Sequence, residues 1–233
     1  MNINSNKFLL FFSFLLFSNL LFAGRPLTTE DAETVEKGKF ELEIGYDLIK
    51  NNDDTKNKEL GVSLKFGLTD RMDFGISVPF IIEENSINLN KWEKPEIGIK
   101  FSILKEDTLN ISFQFSGTPN PEEGNIKYTI KSILSKNFGK TILHFNLGLY
   151  SLKNSNESEY YLTYSSAFEY PLSEKLNLCG EIVGEKNEEN PLTMLIGFNY
   201  AFSKNLKFDF GIGSGINKSA PDWKITTGLT FNW

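Results

Sequence analysis

From residue 39 to the C-terminus, apolar and polar residues alternate with a period of two. In the stretch 59–68, ELGVSLKFGL, every second residue is apolar, and the residues between them are Glu, Gly, Ser, Lys and Gly. The same pattern recurs at 40–48, 72–80, 97–103, 109–116, 126–131, 143–149, 162–170, 176–184, 194–202, 206–212 and 225–233. Alternation places the apolar side chains on one face of a β-strand. We therefore predict about twelve strands of about ten residues, the length that a tilted strand needs to cross a membrane. The weakest is 176–184, where Gly180 and Gly184 fall in the apolar row.

Short polar turns alternate with longer connections between these strands. The predicted short turns are Leu68–Arg71, Leu104–Asp107, Leu134–Asn137, Leu172–Lys175 and Phe202–Asn205. Longer connections fall at 51–57, 83–94, 117–125, 153–159, 186–190 and 217–222. Short periplasmic turns and longer external loops are typical of outer-membrane barrels. We predict an all-β fold, a transmembrane antiparallel up-and-down β-barrel over residues 39–233, with both termini on the periplasmic side.

A soluble two-sheet sandwich would show a similar alternation, and it is the main alternative fold. Two features favour the membrane barrel. The large apolar residues are too numerous to pack inside one soluble barrel. The polar rows are rich in Gly and Ser, which a crowded lumen accepts better than an exposed strand does. No stretch after Ala23 is apolar enough for a transmembrane helix, so crossing a membrane would require a closed barrel.

Residues 1–23 have the pattern of a signal peptide. Lys7 provides the positive start, Phe8–Phe22 is almost wholly apolar, and Ala23 offers a cleavage point before Gly24. A retained membrane helix is the alternative, but the apolar run barely reaches spanning length. Because Gly24 and not Cys follows the predicted cleavage point, the sequence does not indicate a lipoprotein. We expect export to the bacterial outer membrane.

The end of the chain, Gly228–Trp233, is an alternating strand whose last residue is aromatic. It resembles the C-terminal signal that the barrel-assembly machinery of the outer membrane recognises. The resemblance implies that this machinery, through the strand ending at Trp233, and outer-membrane lipid are partners of the chain. The other interpretation of Trp233, an aromatic residue at the membrane interface, implies the same location.

The start of the predicted mature chain, RPLTTEDAETVEKGKFELE at residues 25–43, resembles a known transporter family. The family is labelled "MetA-pathway of phenol degradation", and GLTDRMDFGISVPF at 67–80 is also similar to it. The resemblance implies an outer-membrane barrel that moves aromatic or other hydrophobic small molecules. It implies no particular binding residue.

Composition excludes several other functions. The chain has 24 Lys and Arg against 30 Asp and Glu, a net charge of −6, and no basic block, so we predict no nucleic-acid partner. Its single histidine rules out a multi-histidine metal site, and we predict no metal and no cofactor. Its single cysteine, Cys179, allows no intramolecular disulfide, and we expect that thiol to be inert.

The polar rows define a set of candidate lumen-facing residues. These are Glu41, Glu43, Asp47, Glu59, Lys65, Asp73, Glu96, Lys100, Lys127, Lys131, His144, Glu169, Glu181, Lys207, Asp209 and Lys224. A lumen of mixed charge could select solutes, or these residues could pair across strands and fill the interior. The segment at residues 24–38 is acidic overall. It could fold into the lumen as a plug through Arg25, Glu30, Asp31 and Glu33, or it could remain a periplasmic extension.

One pattern hints at catalysis, because His144 and Asn146 share the inward face of a strand. Outer-membrane phospholipases use Ser, His and Asn, but their motif places Ser two residues after His, where this chain has Asn146. Ser112 and Ser116 face inward on another strand without a nucleophile motif. We therefore predict no enzyme activity.

Aromatic residues near the strand ends, Tyr150 among them, fit interfacial girdles, and Trp92 is predicted to lie in a loop. The function that we predict is an outer-membrane channel or transporter for small molecules, aromatic or hydrophobic ones among them. A structural or adhesive barrel with a closed lumen is the alternative.

Overall fold

The computed structural model describes residues 24–120, 125–154, 157–187 and 189–233, so the predicted signal peptide lies outside the described residues. The described residues form thirteen strands: β1 (Phe40–Lys50), β2 (Lys56–Thr69), β3 (Met72–Glu84), β4 (Ile87–Trp92), β5 (Glu96–Lys105), β6 (Leu109–Asn120), β7 (Asn125–Phe138), β8 (Thr141–Asn154), β9 (Glu157–Pro171), β10 (Leu176–Lys186), β11 (Leu192–Ala201), β12 (Leu206–Gly215) and β13 (Trp223–Asn232). No helix among these residues is long and apolar enough to cross a membrane.

The sheet closes on itself as an antiparallel barrel. β1 pairs with β13 from Glu41 opposite Asn232 to Lys50 opposite Trp223, which joins the first strand to the last. The other barrel strands pair with their neighbours along the chain, and β4 and β5 follow one another along the same edge of β3. The result is a closed twelve-strand barrel with one extra strand, as the hydrophobic period predicts. This closure excludes the two-sheet sandwich.

The apolar rows face outward and the polar rows face inward. On β8, Leu147 is 54% exposed, whereas its neighbours His144 and Asn146 are buried. On β6, Phe115 is 50% exposed and Ser112 is fully buried. A soluble protein rarely exposes a continuous apolar surface of this kind, so the outer face requires an apolar environment.

Two glycines of the outer face are covered by aromatic rings on the neighbouring strand. Gly180 lies opposite Phe168 and Gly184 lies opposite Tyr164 in the β9–β10 register. A Cβ at Gly180 would lie 2.7 Å from the Phe168 ring, and one at Gly184 would meet the Tyr164 ring. The rings therefore fill the places of the missing side chains, which explains how a strand with a weak apolar row still presents a continuous outer face.

The structure corrects two predicted connections. The turn predicted at Leu134–Asn137 is wrong, because β7 runs to Phe138 and the chain reverses at Gly139, which adopts a positive φ of 62°. Trp92 does not lie in a loop: it belongs to β4, where its ring meets that of Phe80 edge-on with centroids 5.0 Å apart. We call the end of the barrel with the turns near residues 70, 107, 139, 173 and 203 the short-turn end, and the other the long-loop end.

Candidate functional site: the lumen and the N-terminal segment

Residues 24–38, called the N-terminal segment, lie against the inner face of the barrel. The segment leaves the short-turn end beside β2, where Gly38 N–H donates to Gly67 O at 2.8 Å. It then crosses the lumen and ends beside β1, β12 and β13. Along this path it bonds to side chains or backbone of nine strands besides β2: β1, β3, β5, β6, β7, β8, β10, β12 and β13.

Arg25, near the N-terminal end of the segment, packs against two glycines of the barrel wall. Gly45 and Gly228 are opposite each other in β1 and β13, and a Cβ on either would meet the Arg25 guanidinium. The guanidinium donates to Thr227 O at 3.0 Å and lies 3.4 Å from Asp47 Oδ1 and 3.6 Å from Asp209 Oδ1. The two glycines, which have no side chains, thus leave space for the guanidinium, and the carboxylates of Asp47 and Asp209 provide the opposite charge.

Pro26 and Leu27 continue this packing on the adjacent wall strands. Pro26 lies over the paired Gly197 and Gly211, where an added Cβ would come within 2.8 Å and 3.2 Å of its ring. Leu27 belongs to a buried apolar cluster with Ala167, Leu195 and the fully buried Cys179. The segment therefore covers the thiol of Cys179 from the lumen side.

Glu181 of β10 binds the next turn of the segment. Its carboxylate accepts N–H bonds from Thr28 at 2.9 Å and Thr29 at 2.8 Å, and the Thr29 hydroxyl donates to it at 2.7 Å. One carboxylate thus satisfies three donors of the segment, two of them belonging to backbone that has no sheet partner.

The centre of the segment binds β5 and β8. Glu30 N–H donates to Asn146 Oδ1 and Asn146 Nδ2 donates to Glu30 O, both at 2.8 Å. From β5, Lys100 Nζ donates to Glu33 O at 3.0 Å and Asp31 O at 3.3 Å, and lies 3.5 Å from Glu30 Oε2. The ammonium of Lys100, on a side chain that is 6% exposed, is thereby surrounded by acceptors of the segment.

Burial and nearby charges shift the pKa values of the carboxyl groups of the segment in opposite directions. Burial by itself raises the pKa of Glu30, but the nearby ammonium groups, Lys100 first, outweigh it and lower the pKa to about 2. Burial dominates at Asp31 and raises its pKa to about 7, although Lys100 opposes the shift. Burial also raises the pKa of Glu33. Glu30 is thus the carboxylate that the lumen holds ionised.

Ala32 is held by two serines, one of which belongs to a Ser–His–Glu arrangement. Ala32 N–H donates to Ser135 Oγ at 2.8 Å, and Ser112 Oγ donates to Ala32 O. Ser135 Oγ is 2.8 Å from His144 Nδ1, and His144 Nε2 is 3.3 Å from Glu169 Oε1. All four of these wall side chains are nearly or fully buried. Ser135 is covered by the segment, so a solute would have to displace Ala32 to reach it.

The Ser135 arrangement escaped the sequence analysis because the predicted turn at Leu134–Asn137 removed Ser135 from the inward row. The signal that could have found it is Gly139, two residues beyond the predicted turn. Placing the reversal there pairs Ser135 directly with His144 across β7 and β8.

The other predicted lumen residues form ion pairs or lie nearer the ends of the barrel. Lys65 lies 3.0 Å from Glu41 and 3.7 Å from Glu43, and Lys224 lies 2.7 Å from Asp47. Asp73 accepts the Val35 N–H at 2.9 Å. Lys207 lies on β12 close to the short-turn end, Glu59 and Lys131 face the lumen from β2 and β7, and Glu96 and Lys127 are exposed toward the long-loop end.

The part of the lumen beyond the segment is partly open. A cavity of about 80 Å³ lies between Glu30 and the wall formed by β2, β3, β5 and β6. A larger space of about 330 Å³ lies at the long-loop end between Pro79, Pro119 and Lys127. Glu96 lines both, so the two spaces adjoin. The smaller space thus lies next to Glu30 of the segment, and the larger one lies at the long-loop end.

A pair of tyrosines also faces the lumen near the long-loop end. Tyr150 and Tyr161 have ring centroids 5.2 Å apart, and Tyr150 Oη donates to Glu185 Oε1 at 2.5 Å. The interpretation of Tyr150 as a girdle residue is therefore wrong, since its position in β8 follows His144 and Asn146 on the inner face. Among the described residues, no group of three or more His, Cys, Asp or Glu could hold a metal ion.

Comparison with known proteins shows likeness of fold without likeness of sequence. No family model matches the chain, and no curated protein matches it. The KdgM porin, solved in complex with disordered oligogalacturonate, is 13% identical with a TM-score of 0.61, over 82% of this chain and 98% of that one. The NanC porin is 9% identical with a TM-score of 0.61 over the same shares of the two chains. The CymD monoaromatic hydrocarbon channel is 11% identical with a TM-score of 0.51, over 84% of this chain and 88% of that one.

Proposed function

We propose that this chain is an outer-membrane channel for small molecules whose lumen the N-terminal segment closes. The observation that carries the proposal is the combination of a closed twelve-strand barrel, apolar outside, with a segment bound across its polar interior. A barrel of twelve strands lies between filled barrels of about eight strands and open porins of about sixteen, so release of the segment would widen its lumen.

The membrane location rests on the outer face and on the chain ends. Strands of 10 to 15 residues, except for the short β4, carry an outward apolar row, which is the length and pattern of membrane-spanning strands. Trp233 stacks on Phe40 with ring centroids 5.5 Å apart, where the barrel closes at the short-turn end. We therefore propose a C-terminal strand that the assembly machinery engages and a periplasmic position of both termini. Export by a signal peptide at residues 1–23 rests on the sequence pattern alone.

The contacts between the segment and the barrel wall are of a kind that supports its release from the lumen. Between Arg25 and Val35 the wall holds the segment through side chains such as Glu181, Lys100 and Asp73, and it adds no strand to the sheet. Releasing the segment therefore breaks side-chain contacts and leaves the β-ladder of the barrel intact. A closure built in this way is separable from the fold.

The class of solute rests on resemblance. The CymD structure is named a monoaromatic hydrocarbon channel and the KdgM structure holds oligogalacturonate. The N-terminal run at 25–43 resembles the transporter family labelled for phenol degradation. Together these support small molecules, aromatic ones included, as the solutes of this chain, without enzyme activity and without a cofactor.

Conductance in a planar bilayer tests the proposal. We expect the refolded chain starting at Gly24 to be mostly closed in plain salt, and a variant lacking residues 25–38 to show discrete open steps. Heat-modifiable gel mobility must first show that both proteins are folded. If the folded deletion variant is also silent, the channel proposal fails and the second candidate, a structural or adhesive barrel with a closed lumen, takes its place. The many bonds that hold the segment favour this second candidate.

A further inference from the structure

We propose that Lys100, Gln114 and Lys131, together with Lys65, form a carboxylate-binding site in the lumen, which Glu30 occupies in this structure. The inference deepens the proposed channel function, on which it rests, by naming the chemical class of a solute. Lys100, Gln114 and Lys65 line the cavity of about 80 Å³ next to Glu30, and Lys131 lies opposite Gln114 on the neighbouring strand.

The register of the sheet brings the members of this site together. Lys100 of β5 lies opposite Gln114 of β6, and Gln114 lies opposite Lys131 of β7. Directly opposite residues on one face of a sheet have Cβ atoms about 5 Å apart. The three side chains therefore form a row across the inner wall, and Lys65 of β2 lines the same cavity from the other side.

Glu30 shows which chemistry the row accepts. Its carboxylate lies 3.5 Å from Lys100 Nζ, and it remains ionised although it is partly buried, because Lys100, Lys65 and Lys131 all lower its pKa. Lys65 also pairs with Glu41 and Glu43, so it contributes to the field at Glu30 from outside the direct contact. A partly buried place that stabilises one carboxylate stabilises another of similar size.

Gln114 gives an independent sign of an unfilled site. Its side chain lines the cavity, and its Oε1 is buried with no hydrogen-bond partner among the described residues. Buried amide groups are nearly always bonded, so the unpartnered oxygen marks a place beside two ammonium groups that the described residues leave unfilled. An amide oxygen only accepts, but rotating the amide by 180° places Nε2 at the same position, where its N–H would donate to a carboxylate oxygen.

A solute can reach this row without crossing the N-terminal segment. The cavity adjoins the larger space at the long-loop end through Glu96. Its volume of about 80 Å³ holds two or three water-sized groups, so it admits the carboxylate end of a solute while the remainder extends toward Glu96. Asp73, which lies opposite Lys100, and Glu96 face the same cavity and disfavour a second negative charge.

Glu30 competes with any solute at an advantage, because it is tethered to the barrel and its effective concentration is high. We therefore test the site with the Glu30→Gln variant of the full chain. The probe is propionate, which reproduces the end of a glutamate side chain, and the neutral control is propionamide. Binding is measured by titration calorimetry on refolded protein, with no need for conductance.

We expect Glu30→Gln to bind propionate at least tenfold more tightly than the unchanged chain, and neither protein to bind propionamide. Adding Lys100→Gln to Glu30→Gln should abolish propionate binding, whereas adding Lys127→Gln, an inward lysine at the long-loop end, should leave it unchanged. Heat-modifiable mobility checks the fold of each variant.

The proposal is overturned if propionate and propionamide bind alike, if Glu30→Gln gains no affinity, or if Lys127→Gln abolishes binding as fully as Lys100→Gln does. Its failure is distinguishable from failure of the channel function. If the deletion variant conducts but Glu30→Gln does not bind propionate, the carboxylate site alone is refuted. If Glu30→Gln binds propionate but the deletion variant does not conduct, the channel alone is refuted.

Discussion

Gly45 of β1 and Gly228 of β13 lie directly opposite each other at the seam where the barrel closes, and the Arg25 guanidinium occupies the space that their side chains would fill. The pair thus joins two functions, since the strands that complete the barrel also provide the seat for the end of the N-terminal segment. Gly197 and Gly211 provide a second seat of the same kind for Pro26.

We predict that Gly45→Ala displaces this end of the segment while the barrel still folds. The new Cβ would overlap Arg25, and overpacking of this kind costs about 1–3 kcal/mol. Because the segment covers Cys179, reaction of that thiol with a small maleimide should accelerate about tenfold. Gly61→Ala is the matched control, since Gly61 lies opposite Gly45 on β2 and its Cβ would meet only Gly45 O at 4.0 Å. Equal labelling rates in the two variants would refute the seat.

Lys100→Met should loosen the centre of the segment. Lys100 is a buried cation with three acceptors on the segment, and removing one partner of a buried, bonded charge costs about 3–5 kcal/mol. We expect Cys179 to react on the order of 100-fold faster in folded protein. Lys127→Met, a change of the same type at an exposed inward position, should react at the original rate. A Lys100→Met protein whose thiol stays protected would show that the other bonds suffice.

Glu181→Ala should free the part of the segment next to Arg25. The change leaves the N–H groups of Thr28 and Thr29 without an acceptor, at about 1–3 kcal/mol for the buried donor of Thr29 and less for the exposed Thr28. Hydrogen exchange of these two amides, followed by mass spectrometry, should then be at least tenfold faster. The control is Glu185→Ala on the same face of β10, because Glu185 binds Tyr150 and not the segment. Unchanged exchange in Glu181→Ala would contradict the assignment.

The barrel itself could be predicted from the sequence, whereas the route of the segment could not. Alternation with a period of two is imposed by the pleat, and it places Phe115 outside and Ser112 inside whatever else the chain does. The binding partners of Arg25 depend on closure, since Gly45 and Gly228 come together only when the first strand meets the last. Ser135 was missed for a local reason, because a polar run resembles a turn even when Gly139 makes the reversal.

The binding of the segment should weaken as the pH rises from about 5 to about 8. Burial raises the pKa of Asp31 from 3.8 to about 7 against the opposing effect of Lys100, His144 and Lys65, while Glu30 adds to the rise. An acid whose pKa is raised on binding contributes stability below its ordinary pKa, and that contribution is lost as the pH rises through about 7. Glu30, with a pKa lowered to about 2, contributes throughout this range and loses its effect only below about 4.5.

Asp31→Asn isolates this effect, because the amide has no proton to lose. The measurement is the ratio of Cys179 labelling rates in the unchanged chain and in Asp31→Asn at each pH, which removes the pH dependence of the thiol itself. The ratio should rise at least tenfold between pH 5 and pH 8, as the ionised Asp31 weakens binding in the unchanged chain only. A constant ratio would mean that Asp31 keeps the same protonation state whether the segment is bound or released, and a falling ratio would mean that its carboxylate is favoured beside Lys100.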